Sequence, residues 1–117
     1  MYYVSKKMEI SVAHRLMLSY ESKCEALHGH NLWVTVYCKS KELNVDGMVV
    51  DFTKIKKRIH GHLDHTNLNE MFDFNPTAEN TARWICDQIP TCYKVSVQES
   101  EGNIAVYCKD EDDEGGH

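Results

Sequence analysis

Apolar residues in the first third of the chain recur at every second position, which is the repeat of a β-strand with one buried face. Residues 2–14 form one such run, in which apolar and polar side chains alternate from Met8 to Val12. Residues 30–39 form a second run, whose even-numbered positions carry the apolar side chains. The polar segment 15–27 between the two runs is predicted to be a loop.

Two helical patterns follow in the middle of the chain. Asp51 is a favourable N-cap, and the apolar residues after it have helical spacing. Thr77 can cap a second helix, where Glu79 in the first turn is favoured by the helix dipole and Pro90 ends the pattern. Segment 64–76, rich in Asn and Asp, is predicted to be a loop.

The chain closes with two more strand patterns, over residues 93–99 and 103–108, joined by a turn at Gly102. The element order is therefore strand, strand, helix, helix, strand, strand. Hairpins imply antiparallel pairing, so we expect a two-layer α+β fold, with two helices on the single apolar face of a four-stranded sheet. One domain is expected over residues 1–108, followed by an acidic, Gly-rich tail, 109–117, expected to be disordered.

Composition narrows the class of protein. The net charge is -5, so the chain lacks the excess of basic residues that is typical of nucleic-acid-binding proteins. The chain has no apolar run of transmembrane length and no signal-peptide core at its start, so a cytoplasmic protein without membrane partners is expected. Five cysteines without a CxxC pair indicate a reducing compartment. Cys38, Cys86 and Cys108 lie in apolar patterns and are predicted to be core residues.

The histidines are the first candidates for chemistry. His28 and His30 flank Gly29 at the entry of the second strand, where side chains two residues apart point to the same face. His14 ends the first strand, on the same face as its apolar row. If the two strands form a hairpin, three imidazoles converge. Such a set suits zinc with its fourth position open, although histidines in such short motifs are often ordinary core or surface residues.

Cys24 lies in the polar loop between these strands and not on an apolar row. Lys23 and a nearby zinc ion would both favour its thiolate. From the residues alone, Cys24 can be a fourth zinc ligand, a nucleophile, a general base or an ordinary exposed thiol.

Two further groups of ionisable side chains are candidates. Asp64 and His65 are adjacent, so the carboxylate can orient the imidazole, but Asp64 can equally be a helix-end cap. Glu99 ends the apolar row of the third long strand pattern. It lies either at the solvent edge or in a pocket, where it could accept two hydrogen bonds from an amino-pyrimidinone ring.

Six short segments occur together in the chain. In chain order they are Ser11-Val-Ala-His14, Cys24-x3-His28-Gly-His30-Asn31, Gly47-Met-Val-Val-Asp51-Phe52, Leu63-Asp-His65, Pro76-Thr-Ala-Glu-Asn80 and Val97-Gln-Glu99. Taken together, they resemble the superfamily of 6-pyruvoyl-tetrahydropterin and 6-carboxytetrahydropterin synthases. The resemblance covers about residues 2–108, and it is the joint pattern that makes it specific.

The resemblance implies a tunnelling fold, in which the sheets of several subunits join into a barrel, and a homo-oligomer that is often a hexamer, with active sites between subunits. It implies zinc as cofactor and a reduced pterin triphosphate as substrate. The implied roles are zinc ligation by His14, His28 and His30, proton abstraction by Cys24, and proton transfer by His65 with Asp64. Glu99 would anchor the pterin ring, with Thr77 and Glu79 near the pterin pocket.

The three residues between Cys24 and His28 resemble the 6-carboxytetrahydropterin synthases of queuosine biosynthesis. Their reaction turns 7,8-dihydroneopterin triphosphate into 6-carboxy-5,6,7,8-tetrahydropterin, acetaldehyde and triphosphate. Two alternatives stay open: the 6-pyruvoyl synthase reaction, which eliminates triphosphate without cleaving the side chain, and a non-catalytic zinc-binding assembly protein on the same scaffold.

Overall fold

The computed structural model describes residues 1–109, in which five strands form one sheet and three helices accompany it. A short 3-10 turn, Lys23–Glu25, lies in the loop between the first two strands. The strands are β1 (Tyr2–His14), β2 (His28–Ser40), β3 (Thr66–Asn67), β4 (Cys92–Ser100) and β5 (Asn103–Cys108). The helices are α1 (Phe52–Leu63), α2 (Leu68–Met71) and α3 (Ala78–Asp87).

The sheet has the strand order β3-β1-β2-β4-β5. Its centre is the long antiparallel hairpin of β1 and β2, paired without interruption from Tyr2 opposite Ser40 to His14 opposite His28. β4 and β5 extend the sheet on one side in antiparallel fashion, while β3 pairs with β1 in parallel. β4 thus pairs directly with the hairpin that carries the histidines, and β5 is aligned through β4.

The hydrophobic core lies between the sheet and the helices, as the alternating pattern requires. α1 packs on β1, and α3 packs on β4 and β5. Asp51 caps α1 by accepting the N–H of Thr53, and Thr77 caps α3 by accepting the N–H of Asn80. Fully buried core side chains include Ile10, Leu32, Val34, Val36, Ile55, Ile59, Leu63, Leu68, Ile85, Val95 and Val97.

The predicted α+β class is confirmed, together with the four long strands and the two main helices. The segment 64–76 differs from prediction, because it contains β3 and α2 as well as loop. A two-residue strand and a four-residue helix are too short to show a hydrophobic period, so no pattern predicts them. None of the helices in residues 1–109 is both long and apolar enough to cross a bilayer.

Two other expectations concern the end of the chain. Cys38 and Cys86 are buried as predicted, but Cys108 is exposed. The prediction for Cys108 was wrong because Tyr107, and not Cys108, lies opposite the buried Val95 and shares its face. Of the expected tail, only Lys109 is described, and its backbone N–H donates to the carbonyl of Tyr93 at 2.9 Å; residues 110–117 lie outside the described part.

Truncating a core side chain should lower stability where an exposed apolar residue would not. Ile59 is 0% exposed in α1, so Ile59→Ala should cost roughly 2–5 kcal/mol of unfolding free energy through lost burial and the cavity left behind. Urea denaturation at fixed protein concentration measures this. Val45, 98% exposed, provides the control: Val45→Ala should change little, and an equal loss in both variants would contradict the proposed core.

Candidate metal centre

Three imidazoles meet at the open end of the β1–β2 hairpin. His14 lies directly opposite His28 in the register, and His30 follows on the same face of β2. The Nε2 atoms of His14 and His30 are 2.9 Å apart, and one ligand nitrogen from each ring lies within 4.8 Å of the others. The predicted convergence of His14, His28 and His30 is therefore observed.

Two of these rings are oriented by backbone carbonyl groups. His14 Nδ1–H donates to the Pro76 carbonyl at 2.9 Å, and His28 Nδ1–H donates to the Ala26 carbonyl at 2.8 Å. Each bond fixes the tautomer in which Nε2 carries a free lone pair. Metal-binding histidines almost always have such an outer partner on the second ring nitrogen.

Burial keeps two of the rings neutral at physiological pH. His14 is only 2% exposed. Its burial, together with the neighbouring His30 and His28, lowers its pKa from 6.5 to about 4, although the Pro76 hydrogen bond opposes the shift. Burial also lowers the pKa of His30, against the opposing effect of Glu99 and with a smaller contribution from His28. Neutral imidazoles are the form that binds metal ions.

The donor set fits zinc. Zn–N bonds of about 2.0–2.1 Å place neighbouring ligands of a tetrahedral ion roughly 3.4 Å apart, and the separation of 2.9 Å between His14 and His30 nitrogens needs only a small adjustment to reach that value. Among the described side chains three nitrogens converge, and three protein ligands leave a fourth position for water or substrate, as in catalytic zinc sites.

Two asparagines, which sequence reasoning missed, fix the loop that follows His14. Asn69 accepts the N–H of Arg15 and donates to its carbonyl. Asn75 does the same with Met17. The Asn-rich segment thereby holds the loop, and with it Pro76, beside His14. The abundance of Asn in segment 64–76 was the available signal, but composition alone could not assign partners.

Asp64 and His65 face each other more closely than adjacent residues usually do. Asp64 Oδ2 lies 3.3 Å from His65 Nε2, while Oδ1 accepts the N–H of Ser11 at 2.9 Å. The Ser11 hydrogen bond lowers the pKa of Asp64, with smaller contributions from His60 and His65. Asp64 is also the C-cap residue of α1, so both interpretations of this residue are consistent with its position.

His65 has an unusual backbone. Its φ is 61°, and its N–H donates to the Ser11 carbonyl at 2.6 Å. Glycine is the usual residue just after a helix C-cap, because the left-handed conformation costs other residues about 1–2 kcal/mol. His65 adopts this conformation although it is not a glycine, and its side chain is 81% exposed.

Glu99 and Glu79 line one open cleft of about 340 Å³, together with Ala78 and the β4–β5 turn. The pocket interpretation of Glu99 is therefore favoured over the solvent edge. Thr77 precedes Ala78 at the start of α3, where its Oγ1 accepts the N–H of Asn80. The three predicted substrate-binding residues thus lie close together in the fold.

The three histidines lie between these two groups along the sheet. Asp64 and His65 adjoin β3, whereas Glu99 belongs to β4, and β1 and β2 separate the two strands. Three inter-strand spacings amount to roughly 14 Å. Cys24 lies in the 3-10 turn four residues before His28, and its side chain is outside the described part of the structure.

The fold and the site together define a class: an α+β protein in whose described residues three histidines converge at the end of a β-hairpin. The family model for 6-pyruvoyl tetrahydropterin synthase matches residues 3–110. The chain therefore belongs to the 6-pyruvoyl tetrahydropterin synthase family.

Individual relatives differ in their activities. The chain is 34% identical to 6-carboxy-5,6,7,8-tetrahydropterin synthase of Bacillus subtilis, over 89% of this chain and 83% of the relative. It is 33% identical to human 6-pyruvoyl tetrahydrobiopterin synthase, over 89% of each chain. The solved structure of 6-pyruvoyl tetrahydropterin synthase from Caenorhabditis elegans superposes with a TM-score of 0.74 at 27% identity, covering 93% of this chain and 96% of that one.

The lowered pKa of His14 predicts that the metal-free protein loses stability in mild acid. Between about pH 6.5 and 4 the unfolded chain binds a proton that the folded chain does not, so stability should be fully present above pH 6.5. It should fall by up to about 3 kcal/mol towards pH 4. Urea denaturation of chelator-treated protein across this range measures the loss.

His14→Gln should flatten this dependence, because the buried imidazole is gone. His62→Gln replaces an exposed histidine in α1 and should leave the profile unchanged. A profile that is the same in wild type and His14→Gln would contradict the assignment of His14 as a buried neutral ring.

Proposed function

We propose that this protein is a zinc-dependent 6-carboxy-5,6,7,8-tetrahydropterin synthase. It would convert 7,8-dihydroneopterin triphosphate and water to 6-carboxytetrahydropterin, acetaldehyde and triphosphate, in the cytoplasmic synthesis of queuosine. The observation that carries the proposal is the centre of His14, His28 and His30, with its oriented, neutral rings and an open fourth position. The non-catalytic alternative gains no support from the histidines alone, because a structural zinc site has four protein ligands and the described side chains supply three.

Two features favour the 6-carboxy product. Three residues separate Cys24 from His28, a spacing that resembles the queuosine branch. The relative from Bacillus subtilis that carries this name matches most of the chain. The second candidate is 6-pyruvoyl tetrahydropterin synthesis, supported by the similarity to the human and Caenorhabditis elegans proteins of that name.

A zinc ion held by the three histidines would supply Lewis acidity to the vicinal hydroxyls of the substrate side chain. The protein's own contribution begins with Glu99, whose carboxylate can accept two N–H groups of the pterin ring. Glu79 lines the same cleft, and Thr77 directly precedes the cleft residue Ala78 in the chain. A ring fixed there directs the side chain of the substrate to one position relative to the histidines.

Cys24 and the Asp64–His65 pair would carry out the proton transfers. The Cys24 thiolate would remove a proton from the substrate side chain as general base. His65 would exchange a second proton, with Asp64 holding its ring. The lowered pKa of Asp64 keeps this carboxylate ionised, which is the form that orients an imidazolium.

The separation of these groups supports a site completed by a neighbouring subunit. Within one chain Asp64 and His65 lie on one side of the metal centre and Glu99 on the other, with strands β1 and β2 between. We propose a homo-oligomer, a hexamer as the family resemblance implies, in which one subunit presents His65 to the substrate held by another.

The product mixture tests the proposed reaction. Zinc-loaded protein incubated with 7,8-dihydroneopterin triphosphate should give 6-carboxytetrahydropterin and acetaldehyde, identified by mass spectrometry. Chelation should abolish turnover, and added zinc should restore it. A 6-pyruvoyl product without acetaldehyde would replace the reaction by the second candidate, and absence of turnover in zinc-loaded protein would exclude both.

Mixing two inactive variants tests the shared site. Cys24→Ala should keep zinc but lose turnover by at least about 100-fold, because it removes the base; His65→Ala should be similarly weak. Dissociated and reassociated together, they should recover activity, since about one quarter of randomly mixed sites would have both residues intact. Recovery no greater than the sum of the two variants would show that each site uses one subunit, and zinc loss in Cys24→Ala would make Cys24 a ligand.

A further inference from the structure

The carboxylate of Asp64 has a third neighbour that the proposed mechanism does not use. His60 Nε2 lies 3.5 Å from Asp64 Oδ2, the same oxygen that lies 3.3 Å from His65 Nε2. The other oxygen, Oδ1, accepts the N–H of Ser11. Asp64 is thus held by the backbone of β1, by the last turn of α1, and by His65.

Of the two imidazoles, His60 is the better fixed. It belongs to α1, and its backbone carbonyl accepts the N–H of Asp64 at 2.9 Å. Its side chain is 32% exposed, compared with 81% for His65. The position of the His60 ring is therefore more restricted by the surrounding chain than that of His65, the residue that Asp64 is proposed to orient.

An ion pair four residues apart at a helix end can also be a purely structural contact. Two features set this contact apart from such a pair. Its acceptor is the very oxygen that faces His65, and the φ of 61° at His65 fixes the backbone of that residue next to the pair.

We propose that His60 is a positioning residue for His65: it holds Asp64 Oδ2 in the place where that oxygen orients the His65 ring. This inference rests on the proposed function, in which His65 exchanges a proton with the substrate. His60 touches neither the substrate nor the metal ligands. It acts through Asp64, so that α1 contributes to the site by two residues one helical turn apart.

Three variants separate positioning from charge and from stability. His60→Ala removes the contact, His60→Gln keeps an N–H donor without a titratable charge, and His62→Ala changes an exposed histidine in the same turn of α1. His60→Ala should lower kcat roughly tenfold through misplacement of the proton-transfer group, with KM within about twofold. His60→Gln should recover most of the loss, and His62→Ala should match the wild type. Equal kcat in wild type and His60→Ala would overturn the proposal.

A second measurement does not depend on turnover. The pKa of His65 can be followed by NMR in zinc-loaded protein with labelled histidine. Among the residues lining the His65 cleft, Ser11, Val12, Ala13, Thr66 and Asn67 are uncharged, so Asp64 is the charged group facing His65, with His60 behind it. His60→Ala and His60→Gln both lack the charge of His60, so their difference reports positioning alone.

The His65 pKa should be lower in His60→Ala than in His60→Gln, because a less firmly held carboxylate supports the imidazolium less. The same His65 pKa in both variants would overturn the proposal even if the enzyme is active. If the wild type does not turn over the pterin, the proposed function fails and this comparison alone decides the positioning role. Should His60→Ala not assemble, His60→Asn, whose amide is too short to reach Asp64, replaces it in both experiments.

Discussion

The register of the β1–β2 hairpin is the constraint on which the site depends. Thirteen successive pairs, from Tyr2 with Ser40 to His14 with His28, align the two strands. A slip of one residue would turn the apolar row of either strand away from the helices. Because Val34 and Val36 are fully buried, that alternative is strongly disfavoured. The same packing that buries these side chains therefore also brings the three histidines together, without any interaction specific to the metal.

The other candidate site residues, Asp64 and His65, and the carbonyl that orients His14 lie at or near the ends of the helices. α1 ends at Leu63, and its C-cap residue Asp64 is followed by His65, which lies beside β1. The segment before α3 places the Pro76 carbonyl within hydrogen-bonding distance of His14. Both helices are fixed on the sheet by their buried faces, so these ends have little freedom. The three-histidine cluster therefore lies at the edge of the core, where burial lowers the pKa of His14, and the open clefts lined by Glu99 and by His65 lie on either side of it.

Much of this could be predicted from the sequence. Alternation gave the long strands, and the spacing of His28 and His30 with the position of His14 predicted the centre because a strand's period of two is rigid. The partners that orient these residues could not be predicted. Pro76 acts through a backbone carbonyl, which any residue has, and the bonds of Asn69 and Asn75 join segments more than fifty positions apart. Such contacts are consequences of the tertiary fold and leave no local pattern.

The wrong prediction for Cys108 has the same origin. Cys108 lies in an apolar run but on the face of β5 away from the helices, since the register with β4, and not hydrophobicity, decides which face is covered. The contact of Asp64 with His65 also left no local pattern, because it accompanies a left-handed backbone at His65, a conformation that propensity disfavours. Residues that depart from local preference in this way are found where side-chain placement has functional value.

The central claim is that three imidazoles hold a zinc ion with its fourth position open. The X-ray absorption spectrum of zinc-loaded protein at the zinc edge tests it most directly. The account predicts three imidazole nitrogens at about 2.0–2.1 Å and one further light atom, without sulfur. A sulfur shell at about 2.3 Å, the distance of a bound thiolate, or fewer than three imidazoles, would contradict it.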